Sequence, residues 1–157
     1  MKKAIMIVCL MLSLALLTGC EEKTPQTKEG FMQIMEEKGF AITDASNDAD
    51  EVENVKSIVL AQNTKASPTY KIEFWEFMDL STAEGTFDEI MEELDDRHST
   101  KTMSVSMNAA NYSSYSFIAD GNYYVIFRIE NTMLCSVSDK KYKSEIEAIF
   151  EDLGYKY

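Results

Sequence analysis

Hydrophobic periodicity switches between two values along this chain, and the switching constrains the class of fold more tightly than composition does. Residues 28–38, 81–97 and 139–153 follow the helical period. In the first, Phe31, Ile34 and Met35 share a face and Gly39 follows the last turn. In the second, Ala83, Phe87, Ile90, Met91 and Leu94 form one stripe, opened by the capping-box sequence Ser81-Thr82-Ala83-Glu84. The third carries Tyr142, Ile146, Ile149, Phe150 and Leu153 and stops at Gly154-Tyr155. Between these segments the period is two. Tyr70, Ile72 and Phe74 alternate with Lys71, Glu73 and Trp75, while Tyr123, Val125, Phe127 and Ile129 alternate with Tyr124, Ile126, Arg128 and Glu130. Residues 102–107, 55–62, 112–119 and 132–137 read as further strands, and Asp120-Gly121 is a two-residue hairpin signal.

The pattern predicts an α+β domain: an antiparallel sheet of about six to seven strands, with three amphipathic helices packed mainly on one face. The similar tetrads Ile34-Met35-Glu36-Glu37, Ile90-Met91-Glu92-Glu93 and Ile149-Phe150-Glu151-Asp152 are compatible with a duplicated helix-plus-meander unit. Amphipathic helices call for similar letters without any duplication.

The N-terminus carries a separate message. Met1-Lys2-Lys3 precedes an apolar run over residues 4–17 that only Ser13 interrupts, the layout of a secretory signal. The run is shorter than the roughly 20 residues of a membrane-spanning helix. Leu17-Thr18-Gly19-Cys20 then resembles the lipobox of bacterial lipoproteins. That resemblance implies cleavage before Cys20, lipidation of its thiol and attachment to the extracytoplasmic face of the cell membrane. The chain then divides into a signal peptide (1–19), a lipidated cysteine with a short polar tether (20–27) and a single domain (28–157). Lipobox, acidic tether and one α+β domain ending in Leu153-Gly154-Tyr155 are together similar to the small lipoproteins of Gram-positive bacteria, a likeness that carries over no functional residues.

Charge and cysteine content narrow the chemistry. The net charge of −12 becomes −14 once Lys2 and Lys3 leave with the signal, a field that repels nucleic acid. Cys9 leaves and Cys20 takes lipid, so Cys135 has no partner for an internal disulfide; alternating with Met133 and Val137, it reads as a core thiol. The one histidine, His98, sits at the end of the second helix, where the dipole favours it. No nucleophile motif, zinc set or phosphate-binding glycine loop accompanies it, so no catalytic residue, metal ligand set or cofactor is assigned. Asp44, Asp48, Asp50, Glu51 and Glu53 are hard oxygen donors, but their loop lacks the glycine and terminal glutamate of a helix-loop-helix calcium site. Ca2+ there would bind only weakly, with a dissociation constant of about 10⁻⁴ to 10⁻³ M.

The remaining candidate is the sheet face expected to be free of helices. Alternation places Trp75, Tyr112, Tyr124 and Arg128 on it, together with small hydroxyls such as Ser114 and Ser116. This composition suits a protein, peptide or glycan partner, and the expected function is non-catalytic binding or scaffolding at the cell surface. Strand propensity alone also favours such residues on a wet sheet face. Two alternatives stand beside it: a small envelope hydrolase using Glu73 and Glu130 as paired carboxylates, and an accessory subunit of a membrane complex.

Overall fold

The computed structural model describes residues 22–47, 54–109 and 111–156. Within them lie three α-helices, α1 (Lys28–Glu37), α2 (Leu80–Arg97) and α3 (Lys143–Asp152). The strands are β1 (Ala41–Asp44), β2 (Val55–Asn63), β3 (Tyr70–Phe77), β4 (Thr102–Asn108), β5 (Tyr112–Ala119), β6 (Asn122–Ile129) and β7 (Thr132–Asp139). They form one antiparallel sheet in the order β1-β2-β3-β7-β6-β5-β4. The protein is α+β, as its periodicity predicts.

Helix ends follow local chemistry. α1 and α3 finish alike: Gly39 and Gly154 take φ of 81° and 87°, and the amides of Phe40 and Tyr155 return to the carbonyls of Met35 and Phe150. The start of α2 lies upstream of the expected capping box. The Asp79 carboxylate accepts from the Thr82 amide at 2.8 Å, and a charged oxygen at the N-cap draws Leu80 and Ser81 into the first turn. The third helical segment is divided, with a 3₁₀ turn over Lys140–Tyr142 before α3. Between β5 and β6, Asp120 and Gly121 have φ of 52° and 81°, the two positive values that a tight type I′ hairpin needs.

Topology decides which face each helix covers. α1 and α3 pack on one face, where Phe31, Phe74, Phe127, Ile146, Phe150 and Tyr155 belong to one continuous core. α2 has a different task. It leaves β3 in the middle of the sheet and must deliver the chain to β4 at the far edge, so it crosses the opposite face over β7, β6 and β5. There Ala83 and Phe87 pack with Phe117, Ile126 and Met133 in a second core. Two of three helices therefore share a face, but the face expected to be open carries the third. The duplicated unit does not follow from this arrangement. Neighbouring antiparallel meanders are related by a two-fold normal to the sheet, which would put α1 and α2 on the same face.

Of the segment expected as a tether, residues 22–27 lie on the domain. Asn111 binds Lys23 twice, receiving its amide at 3.2 Å and donating to its carbonyl at 2.7 Å. Lys23 Nζ donates to the Lys156 carbonyl at 2.6 Å and lies 4.5 Å from the centre of the Tyr112 ring. Thr27 ends the strap as the N-cap of α1. The proposed lipidation site at Cys20 lies outside the described residues.

Candidate recognition groove

α2 runs obliquely. Its start adjoins the end of β3, and its last residues reach the β5–β6 hairpin, where His98 Nδ1 lies 3.1 Å from Asp120 Oδ2. A helix on that diagonal leaves one corner of the sheet uncovered, the corner where β3 and β7 approach the hairpin end. Val137 projects there and is 52% exposed. Between this corner and the flank of α2 lies a groove of about 240 Å³, lined on the sheet side by Glu73, Trp75, Tyr124 and Val137 and on the helix side by Leu94 and Arg97.

Register explains who meets whom. Lys71, Val137, Tyr124 and Phe117 are successive cross-strand partners, and Glu73, Cys135, Ile126 and Tyr115 form the next row. The Glu73 carboxylate accepts from the Trp75 indole at 3.1 Å and pairs with Lys71 Nζ at 2.7 Å, fixing the indole along the groove wall. Tyr124 stacks on Phe117 with ring centroids 4.7 Å apart, and His98 packs 4.8 Å from Tyr124. On the helix side, Glu93 and Arg97 pair with each other at the rim. Burial raises the Cys135 thiol far above its ordinary range, which makes that sulfur a piece of apolar wall rather than a nucleophile. The result is an apolar slot with aromatic ends and a rim of both charges.

Two of the four expected contact residues therefore meet in one groove, half-buried along its wall, and two do not. Tyr112 faces the other core: the Asp120-Gly121 hairpin pairs Ala119 with Asn122, which sets Tyr112 opposite Ile129. Ser114 and Ser116 turn the same way and are buried. Arg128 is on the α2 face but lies beneath the helix, 2% exposed. It donates through Nη2 to Ser113 Oγ at 3.0 Å and through Nη1 to the Glu130 carbonyl at 3.1 Å, with Glu84 of α2 at 3.5 Å. Burial lowers its pKa, partly offset by the fields of Glu84 and Asp88. Arg128 is thus a buried strut between sheet and helix, not a ligand clamp.

The carboxylates of the hydrolase alternative are not brought together. Glu73 lines the groove, whereas Glu130 sits in the β6–β7 turn and lines a separate cavity with Met78, Leu80 and Asn131. Of the acids weighed for calcium, Asp44 is bound to Lys28 Nζ at 2.7 Å and to Ser46; residues 48–53 lie outside the described residues. No described group of three or more His, Cys, Asp or Glu side chains is arranged to hold a metal ion. No described helix is long and apolar enough to cross a membrane.

Val137 and the helix-side residues Leu94 and Arg97 were not legible as groove residues. The signal that could have revealed them is the topology itself, because only a crossing from β3 to the far edge places α2 over this face. No known protein family matches the sequence, and no curated protein does. Among solved structures, the fold is similar to that of a GTP binding regulator from Thermotoga maritima, at 9% identity over 83% of this chain and 90% of that one, with a TM-score of 0.49.

Proposed function

We propose that this chain is a lipid-anchored extracytoplasmic binding domain, held at the cell membrane through Cys20, whose groove receives one apolar or aromatic side chain or sugar ring from a protein, peptide or glycan partner. The observation that carries the reading is the convergence of Trp75 and Tyr124 from β3 and β6 on one apolar slot beside Val137. The slot is smaller than the roughly 300–1,000 Å³ usual for drug-sized ligands, which favours a single anchoring group over a whole small molecule. Aromatic walls give contact area at low entropic cost, and the rim of Lys71, Glu73, Glu93 and Arg97 can orient a polar backbone or hydroxyls. The lipobox sequence at residues 17–20 supports the anchor.

The test uses intact membranes carrying the full chain with a photoreactive benzophenone residue at Val137, and a second preparation labelled at Lys65. A discrete adduct at Val137, absent at Lys65 and lost with Trp75→Ala, is the expected result. Equal labelling at both positions, or an adduct indifferent to Trp75→Ala, overturns the groove. Intact-mass measurement of the membrane form tests the anchor separately: lipid on Cys20 in the natural chain, and none after Cys20→Ala. Unlipidated Cys20 in membrane-bound material overturns that part alone.

A further inference from the structure

The two edges of the sheet differ in length and in charge. β1, at one edge, is four residues long and ends in Asp44. β4, at the other, is the seven-residue strand Thr-Met-Ser-Val-Ser-Met-Asn, and among the described residues it pairs only with β5. It opens a stretch, 102–119, that contains no Asp, Glu, Lys, Arg or His in a chain of which 27% is charged. Edge strands commonly carry lysine, proline or an inward charge that blocks addition of another strand. β4 has none of these. Its single protection is an irregularity between Thr102 and Val105, where Met103 takes a φ of 53°. Met103 and Val105 are 66% and 46% exposed.

The strand is also nearly palindromic. Around Val105, Ser104 answers Ser106, Met103 answers Met107, and polar Thr102 answers polar Asn108. Antiparallel pairing of two identical strands about a two-fold axis at Val105 sets valine against valine and serine beside serine, while the irregularity between Thr102 and Val105 keeps the methionines out of regular register. The central pairs are then matched in size, and none of the facing residues carries a charge. This bears directly on the occupant. A second copy of a chain with net charge −12 sets acid against acid over most approaches, whereas at β4 two backbones can reach strand spacing, about 4.8 Å, with no like charges opposed. Asp95, which reaches β5 through Tyr115, is paired with Lys101 just before the strand.

We propose that β4 is the edge through which two copies of this chain pair, antiparallel and two-fold symmetric about Val105, so that two seven-stranded sheets become one. The irregularity at Met103 twists the outer end of the strand and confines the best ladder geometry to the central residues. One seven-residue edge is a small contact beside the roughly 1,000 Å² of a stable interface, so the pairing is weak and concentration-dependent.

Cysteine cross-linking of the full chain tests it. In an antiparallel pair centred on Val105 the two Cβ atoms lie about 4.5–5.5 Å apart, close enough for a disulfide after slight adjustment. Under mild oxidation Val105→Cys should give a linked dimer of twice the chain mass, while Val137→Cys, exposed on the sheet face away from the edge, should not. Adding Ser104→Asp and Ser106→Asp to Val105→Cys sets like charges opposite each other and should lower the linked fraction about tenfold. Both serines are on the exposed edge strand, and circular dichroism with Trp75 fluorescence verifies that this variant keeps its fold. Cross-linking at Val105 no greater than at Val137, a dimer indifferent to the two aspartates, or an adduct whose mass is not twice the chain overturns the pairing.

Discussion

The two faces of the sheet are built from the same alternating strands and end up doing different work. On one, α1 and α3 lie side by side with the 22–27 strap, and Phe31, Ile72, Phe74, Phe127 and Leu134 are completely buried. On the other, a single helix crosses obliquely, anchored by Arg128 and Glu84, and Trp75, Tyr124 and Cys135 remain at the margin of the core. The lesson is geometric. A pair of helices can cover a twisted seven-stranded sheet, whereas one crossover helix secures the fold and leaves a corner. That corner is where the proposed recognition groove lies, at the margin of the second core.

The contrast can be broken most directly by cutting into the doubly covered face. Phe127→Ala, at a fully buried position between β6 and the Tyr155 ring, should destabilise the domain by about 3–5 kcal/mol in urea unfolding. A loss under 1 kcal/mol would mean that this face is no better packed than the other. The same face should impose an alkaline limit. Tyr155 is buried against Thr132, 2.6 Å away, and burial pushes its phenol from 10.0 up to about 12. An acid with a raised folded pKa holds its proton in the native state after the unfolded chain has lost it. The Tyr155 contribution is therefore intact below pH 10 and should fall by about 2 kcal/mol between pH 10 and 12, and Tyr155→Phe removes that part of the alkaline decline.

On the singly covered face, Arg128→Ala should cost about 2 kcal/mol of stability, because it removes the hydrogen bonds Arg128 gives to buried Ser113 and the Glu130 carbonyl and loosens α2. A folded, equally stable Arg128→Ala chain would return that residue to the list of ligand contacts. The smallest effect belongs to the Lys28–Asp44 bridge between α1 and β1. The Lys28 ammonium, with Ser46, draws the Asp44 carboxyl from 3.8 down to about 2. Its contribution is present above pH 4 and disappears as pH falls toward 2. Since the pair is partly exposed and screened, Asp44→Asn should cost less than about 1 kcal/mol near neutrality, read as a shift in the denaturant midpoint.

Elements were legible because periodicity is local; coverage was not, because it depends on strand order. The stripe of Phe87, Ile90 and Leu94 announces α2 as plainly as Phe31 and Met35 announce α1, yet nothing in either stripe says which face it will meet. That follows from β7, not β4, lying beside β3. Tyr112 is a different case. The Asp120-Gly121 hairpin was visible, and its register already forces Tyr112 away from Tyr124, so the information was present but was not carried eight residues along the strand. Arg128 misled because alternation gives a side chain's direction without telling what will cover it.

The clasp of Lys23 by Asn111 and Lys156 has a consequence for bearing. If Cys20 carries lipid, the chain between it and the clasped Lys23 is a three-residue step, about 10 Å at full extension. A body held so closely keeps its Asn111 end near the lipid, and a copy paired antiparallel through β4 is turned end for end, its own Asn111 end away from that surface. Val137 lies five residues along β7 from Thr132, about 17 Å along the strand from that end. The slot between Trp75 and Tyr124 then opens toward the other end of the strands, at a distance from the anchored end.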